Sequence, residues 1–409
     1  METDPAPGFE FDYAAGKIHS GPGRVARLGD ELDARGYERA LVVTGRTVGS
    51  TPAVMGPVRD ALGDRLVGEF AGTTPGKYLA EALSAAERVR REDADALVAV
   101  GSGSSLDVAK AAAALCSHDG PLRDTAERMV ARGEVVVAPD GGATPTLTVP
   151  TTLAGADLSA IAGSKLALDP EAAPDDELPN GDIADRRLMP EALFYDTDLF
   201  RETPAGVLAA SAMNGFDKAV EALYSPYSTP ITDGTASRAV GLVTDHAGAL
   251  AGGDPSDEQL AAAVDGVLLA QYGISTPGRY RVSVIHAFAH GFSHDYEAHQ
   301  GTAHGILAPH VLRYVFEHVD GRRELLAEAF GADAAALSPD EQAEAVVAGV
   351  ESVRDALDLP ARLRTLEGFS RGDMGAVAAE IADDRLLDAA PRGLDLDTAA
   401  IESVLERAW

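Results

Sequence analysis

The stretch ALVAVGSGSSLDVAKAAAALC, Ala96 to Cys116, decides how the first half of this chain folds. Ala96 to Val100 is an unbroken apolar run, which reads as a strand buried on both faces, since a half-exposed strand alternates with polar residues. A Gly/Ser turn follows at once, and Val108 to Leu115 continues as an Ala-rich helix. Glycines at such a turn let a ligand approach the backbone, and the free N–H groups at a helix start attract phosphate. Gly101, Ser102, Gly103 and Ser104 are therefore candidate cofactor-binding residues. The turn is not GxGxxG, because Leu106 stands where the last glycine belongs.

The same alternation extends outward. Arg39 to Thr44 (RALVVT) is another apolar strand, closed by Gly45 and preceded by helical spacing from Val25 to Arg35. Pro52 to Leu62 reads as a helix, Arg65 to Phe70 as a strand and Tyr78 to Arg91 as a helix. Beyond the turn, the strand Leu147 to Val149 runs into Pro150-Thr151-Thr152, whose hydroxyls point to the same ligand. This order predicts an α/β domain with a doubly wound, mostly parallel sheet of the dinucleotide-binding kind. Asp169 to Arg187 is Pro/Asp-rich and reads as a solvated surface loop. From about Thr203 the texture changes to long Ala-rich helices. The boundary falls near residue 201, with the α/β domain over 1–201 and an all-α C-terminal domain over 202–409.

The helical half carries SVIHAFAHGFSHDYEAHQGTAHGILAPH, Ser283 to His310, which holds six of the ten histidines. His286 and His290 are four apart and share one helix face. Two chemistries suit that spacing: a metal site on HxxxH, or a metal-free pocket that uses imidazoles for proton transfer. His294 and His310 have no assigned role and read as structural or surface groups.

Composition bounds the partners. The 409 residues carry a formal charge of −31, with 65 acidic side chains against 34 basic ones. Only five of the basic residues are lysine and 29 are arginine. Such a surface argues against DNA, RNA and anionic membranes, which need a positive face, and suits a cytoplasm of high salt. The single cysteine, Cys116, rules out an internal disulfide. No apolar run approaches a membrane span, and METDPAPGFEFD has no signal pattern, so a cytoplasmic location is expected.

GSGSSLDVAK resembles GGGSxxDxAK, the signature of the iron-containing alcohol dehydrogenase superfamily. VPTT (Val149 to Thr152) resembles its IPTT turn, and Lys165 stands where the family has a lysine near the nicotinamide ribose. NGFDKAVEALYS (Asn214 to Ser225) is similar to its DAxxHxxE helix. HAFAHG (His286 to Gly291) and QGTAHGILAP (Gln300 to Pro309) are similar to its two histidine segments. The resemblance implies an NAD(P)(H) cofactor, a carbonyl or alcohol substrate and a cleft between two domains, with Asp107 orienting cofactor or substrate. It also implies a homodimer or a larger assembly. Most members hold iron or zinc through one aspartate and three histidines.

Here that ligand set is altered. With Glu221 on the family's glutamate, Asn214 takes the aspartate position, Lys218 the first histidine position and Gln300 the third, while His286 remains. Neutral amides and an ammonium do not hold a dication, so no catalytic metal is expected. Lys218 instead supplies the positive charge at the developing alkoxide, or binds a substrate carboxylate, or forms a surface ion pair with Asp217 or Glu221. Asn214, the AVEALY run and His304 ahead of LAPH resemble the maleylacetate reductase branch, which works without bound metal; that branch keeps histidine where this chain has Lys218 and, usually, Gln300.

The expected mechanism places pyrophosphate on Gly101 to Ser104 and nicotinamide near Thr151 and Thr152, with Lys165 near its ribose. Hydride passes to a carbonyl held by Lys218, and His290 or His286 relays the proton, with His304 as a further candidate for substrate contact. Gly45-Arg46 stands where NAD-selective members carry an acidic residue, which favours NADP or dual use. Three other readings compete: a metal-dependent alcohol dehydrogenase using His299 or His304, a lyase like 3-dehydroquinate synthase, and a non-catalytic nucleotide-binding protein.

Overall fold

The computed structural model describes residues 8–172, 178–276, 279–292 and 300–409. Their main sheet has six strands: β1 Lys17–Gly21, β2 Ala40–Gly45, β3 Leu66–Thr73, β4 Ala96–Gly101, β5 Thr146–Pro150 and β8 Ala192–Asp196. Their order is β1-β8-β5-β4-β2-β3, and every pairing is parallel. Parallel strands need crossovers, and the helices that supply them cover both faces. Leu41, Val43, Leu97 and Ala99 face the helices Leu79–Arg91, Gly103–Cys116 and Leu122–Arg132. Their neighbours in sequence, Ala40, Val42, Ala96 and Val98, face Leu28–Arg35 and Pro52–Leu62. Burial on both sides is why these strands read as continuous apolar runs.

The chain steps from β2 out to β3, then returns to β4 on the other side of β2. The strand order therefore reverses between β2 and β4, and the crevice at their carboxyl ends is where such sheets bind ligands. Gly45 closes β2 and Gly101 closes β4 at that crevice.

Four strands escape the sequence reading. β1 and β8 pair with each other beside β5, although neither carries a distinctive motif. The segment Asp169 to Arg187, read as a loop, contains β7 Asn180–Ala184, which pairs antiparallel with β6 Ile161–Lys165. In β7 only Gly181 and Ile183 are buried, so the alternation is real but is hidden by the Asp and Gly around it. Residues 173–177 lie outside the described part of that segment.

Past β8 the described residues form helices, apart from a two-residue pairing of Ser275–Thr276 with Arg279–Tyr280. One continuous apolar core joins these helices. The helix Ala205–Tyr224 runs through it with 16 of its 20 residues buried. It packs against Pro230–His246, Asp257–Gln271 and Gln300–His318. No described helix is long and apolar enough to cross a membrane.

Candidate active site

The crevice gathers the residues of the Gly/Ser turn. Gly101 pairs with Pro150 across β4 and β5, and its carbonyl accepts from the Thr151 N–H at 2.9 Å. Its φ of +134° is a conformation that L side chains rarely adopt, and a Cβ there would lie 3.0 Å from Ser105 Oγ. The 14-residue helix Gly103–Cys116 starts with no side-chain cap on Ser102, whose hydroxyl turns to Ser104 Oγ at 3.0 Å. Its first N–H groups are thus left to an anion from outside. Gly45 is close by, since a Cβ on it would lie 3.9 Å from Ser105 Oγ. Gly45, Gly101 to Ser104, Thr151 and Thr152 come together at the ends of three adjacent strands, and this cradle fits the pyrophosphate of a dinucleotide. Arg46 follows Gly45 on the surface and makes no ion pair among the described residues.

Asp107, one turn into that helix, is 7% exposed and is held by Lys77 Nζ at 2.9 Å. Lys77 lines a cleft of about 780 Å³ together with Lys165, Asp182, His290, Gln300 and Asp384. The cleft therefore runs between the β6–β7 hairpin and the helical half. Arg385 pairs with Asp182 across it. His290 closes the short helix Val284–His290, keeps 42% of its side chain exposed and hydrogen-bonds Asp384 at 2.7 Å.

The Thr151-Thr152 turn is sewn to the helices. Thr203 Oγ1 donates to the Thr151 carbonyl at 2.7 Å, and the Leu153 N–H donates to Ser211 Oγ at 3.0 Å. Gln271 donates to the Leu153 carbonyl at 2.6 Å. Immediately after, the Ala154 carbonyl accepts from Lys218 Nζ. Gly155 has φ +85°, and a Cβ there would meet Gln271 Oε1 at 1.5 Å and Lys218 Nζ at 2.8 Å. Only glycine permits this loop to close on the lysine.

Lys218 is only partly exposed. Loss of water around its amine pulls its pKa down to about 8, while the charges of Asp157, Asp107 and Glu221 hold it up. The surface ion pair expected as one alternative does not form, because both neighbouring carboxylates are spent on histidines. Glu221 hydrogen-bonds His286 Nδ1 and also accepts from the Ile285 N–H at 2.7 Å. Asp217 hydrogen-bonds His304 Nδ1 at 2.9 Å. The two imidazoles meet edge to face with centroids 4.4 Å apart.

Burial pushes Glu221 up to about 7 and Asp217 well above the usual carboxylate range. Burial, then the Lys218 and His290 charges, hold His286 well below the ordinary histidine value. His286 is thus neutral, with Nδ1–H given to Glu221 and Nε2 left as a buried lone pair without a partner among the described residues. Asn214, 8% exposed, precedes Lys218 by one turn on the same helix. His304 has no exposed surface, so the substrate contact expected of it is not offered to the open cleft. His310 is also buried, among Arg313, Arg354, Arg362 and Glu351, away from these groups. His294 and His299 lie outside the described residues.

The sequence reading left three parts of this site without a role. Asp217 and Glu221 orient the imidazoles, and their signal was the four-residue spacing beside Lys218. Asp384 is 94 residues from His290, and no spacing rule connects them. Asp157 is buried in the loop beyond Gly155, and burial of a lone aspartate is invisible in sequence.

The donor set can be tested against a metal. The four positions that resemble the family's ligands bear an amide at Asn214, an ammonium at Lys218, an amide at Gln300 and one imidazole at His286. Iron and zinc bind through imidazole, thiolate and carboxylate, and this set does not fit them. Among the described residues, no three His, Cys, Asp or Glu side chains gather as a metal would need.

Comparison with known proteins bears on the whole chain. Residues 15–197 match the family model of the iron-containing alcohol dehydrogenases, and residues 208–409 match that of their C-terminal domain. The lactaldehyde reductase of Escherichia coli (strain K12) is 25% identical over 392 residues, which covers 95% of this chain and 97% of that protein. The maleylacetate reductase of Pseudomonas aeruginosa is 26% identical over 409 residues, covering 98% and 97%. The solved structure of a 1,3-propanediol oxidoreductase superposes with a TM-score of 0.83 at 24% identity, covering 98% of this chain and 100% of that one.

Proposed function

The chain belongs to the iron-containing alcohol dehydrogenase family of NAD-dependent oxidoreductases, and on that premise we propose that it reduces a carbonyl or oxidises an alcohol without a catalytic metal, Lys218 supplying the charge. The observation that carries this reading is the position of Lys218 Nζ on the Ala154 carbonyl, next to the Thr151-Thr152 turn and within electrostatic reach of His286.

Gly101 to Ser104, Thr151, Thr152 and Lys165 would hold a nicotinamide cofactor, which would supply or accept the hydride. In the reducing direction the substrate oxygen becomes an alkoxide. The Lys218 ammonium stabilises that charge, as an oxyanion-hole donor does, in a site that excludes most water. Its lowered pKa also makes it an acid strong enough to pass a proton near neutral pH. His286 keeps an acceptor nitrogen beside it, oriented by Glu221. His290, at the cleft and on Asp384, exchanges protons with solvent. A substrate carboxylate is the second group that the Lys218 ammonium would bind, so a small keto or hydroxy acid is the preferred substrate class. Arg46 in place of an acidic residue supports NADP or dual use. A cytoplasmic homodimer with no nucleic-acid or membrane partner completes the reading.

The test is elemental analysis of protein purified in high salt without chelator, with NAD(P)H oxidation assayed with and without EDTA. Metal below about a tenth per chain and activity indifferent to EDTA support the reading. One metal per chain, with turnover abolished by EDTA, sinks it and points to His299 or His304 as ligands.

A further inference from the structure

Lys77 has no part in the mechanism above, yet it lines the cleft in an unusual backbone setting. The chain turns there, and the Lys77 N–H donates to the Thr74 carbonyl at 3.2 Å. The turn leaves Lys77 at φ +50°, in the left-handed region that lysine seldom occupies. Gly76 precedes it and would adopt that region freely, but the positive φ falls on the lysine. Strand β6 holds the conformation from the other side of the turn. Ser164 Oγ donates to the Lys77 carbonyl at 2.8 Å, and the Lys165 N–H donates to it at 3.1 Å. A charged residue fixed in a rare conformation at a cleft is a reason to look for a ligand.

The amine is aimed as well as held. Asp107 Oδ2 accepts from Nζ at 2.9 Å, and among the described residues it is the only partner of that amine. An ammonium carries three hydrogens, so two remain for the cleft. Beside the amine the hairpin has no side chain. A Cβ on Gly163 would have one neighbour within 4 Å, Lys77 Nζ at 3.6 Å, and the φ of Gly163 does not call for glycine. Gly76 and Gly181 line the same wall for a different reason, since a Cβ would strike Tyr78 at 2.4 Å and Leu166 at 2.5 Å. Those two serve packing, whereas Gly163 leaves room next to a charge. Lys165 is on this wall too, while Glu380, Asp383 and Asp384 line the cleft from the helical half. An anion in the cleft is therefore drawn to the hairpin side.

We propose that Lys77 and the space left by Gly163 form an anion-binding subsite of the cleft, which takes an oxygen of a phosphate or carboxylate, with Asp107 fixing the amine. Two molecules bring such oxygens to this cleft: the nicotinamide cofactor through its pyrophosphate, and a keto or hydroxy acid through its carboxylate. The proposal rests on the nicotinamide-dependent reading of the cleft and does not need Lys218 to replace a metal. Metal in the purified protein would defeat that replacement and leave the following test as it stands.

The test measures two probes on the full chain by calorimetry: NADH, and succinate added to the NADH complex. Lys77→Met removes the charge at nearly constant length. Gly163→Leu fills the space and leaves Lys77 and Asp107 in place. If the anion is the cofactor's, both variants should raise the NADH Kd about tenfold or more, the loss expected for one hydrogen bond to a charged group. If it is the substrate's, the NADH Kd holds and succinate affinity falls by that factor. For the probe that responds, Lys77→Met should also flatten the rise of Kd with salt, which damage to the fold alone would not do. Lys77→Arg, which keeps the charge, should recover part of the affinity. Unchanged Kd values for both probes in Lys77→Met overturn the proposal. So does a loss of affinity with the salt dependence intact, which would make Lys77 a prop for Asp107. Should Lys77→Met fail to fold with Asp107 left alone, Gly163→Leu decides, and both affinities unaltered in that variant overturn the proposal equally.

Discussion

The nucleotide turn and the pocket around Lys218 share the loop from Thr151 to Gly155, yet they tolerate change in opposite ways. At the turn the recognition groups belong to the backbone: uncapped N–H groups at the helix start, reached past a Gly101 whose φ needs glycine. Side chains there are interchangeable as long as the glycines stay. In the pocket the working groups are side-chain charges, and three of the four positions that resemble metal ligands have changed. What the pocket has kept is the apparatus behind those positions, the Glu221–His286 and Asp217–His304 pairs. On the proposed reading, one ammonium takes the place of a dication with its ligands, while the orienting carboxylates and the imidazole remain.

That contrast can be broken most sharply at Lys218. Lys218→Ala should lower kcat by about 10²- to 10³-fold, the loss seen when one preorganised oxyanion donor is removed. Cofactor affinity, measured by NAD(P)H fluorescence, should be unchanged, because the turn does not use that amine. Added zinc should not restore activity. A wild-type kcat would mean that the pocket does its chemistry without the Lys218 charge. His290→Ala comes next, with about 10²-fold lost if proton exchange with solvent runs through it. The solvent isotope effect on kcat should rise in that variant. Equal loss of kcat and stability would mark His290 as a prop for Asp384 alone.

The pH profile sharpens the same contrast. Lys218 must be protonated to stabilise an alkoxide, and its pKa is lowered to about 8. Activity should therefore fall as pH rises through about 8, by about tenfold per unit as for any single ionisation. Lys218→Arg keeps the charge at every accessible pH, so its residual activity should lack that limb. Persistence of the limb in the arginine variant would assign it to another group.

How much of this was legible follows the same division. β2, β4 and the helix after Gly101 were readable because burial on both faces leaves an apolar run and the turn needs glycine. β7 was not, because its alternation uses Gly181 and Ile183 among aspartates and asparagine. In the pocket, Lys218 could be singled out because it stands at a ligand position of the family the chain resembles, in a sequence where lysine is scarce. Its environment could not, since Ala154, Asp157 and Gln271 are brought to it by the crossing of a loop and two helices. The His290–Asp384 contact is legible only in three dimensions. Sequence shows which residues could bear charge; tertiary packing decides which charges are paired.

At the turn itself the expected effects are smaller and appear in binding. Gly101→Ala forces a Cβ into a φ of +134° and to 3.0 Å from Ser105 Oγ. Strain of roughly 1–3 kcal/mol is usual for such a residue, enough to weaken the NAD(P)H Kd by about tenfold or more, while kcat at saturation changes little. A large fall in kcat with unaltered Kd would show that the turn serves the chemistry as well as the cofactor.

The mildest change is at Arg46, where the backbone rule gives way to a side chain on the rim of the same site. It is exposed, so a 2′-phosphate there would be held by a charge that water and salt screen. A charge-assisted hydrogen bond contributes about 1.5–3 kcal/mol when sheltered, and exposure leaves only part of that. Arg46→Ala should raise the Kd for NADPH several-fold and leave that for NADH alone, with the difference shrinking as salt increases. Equal effects on both cofactors would assign the arginine to the surface. The acidic chain would then have chosen its nicotinamide through the backbone alone, as the rest of the turn does.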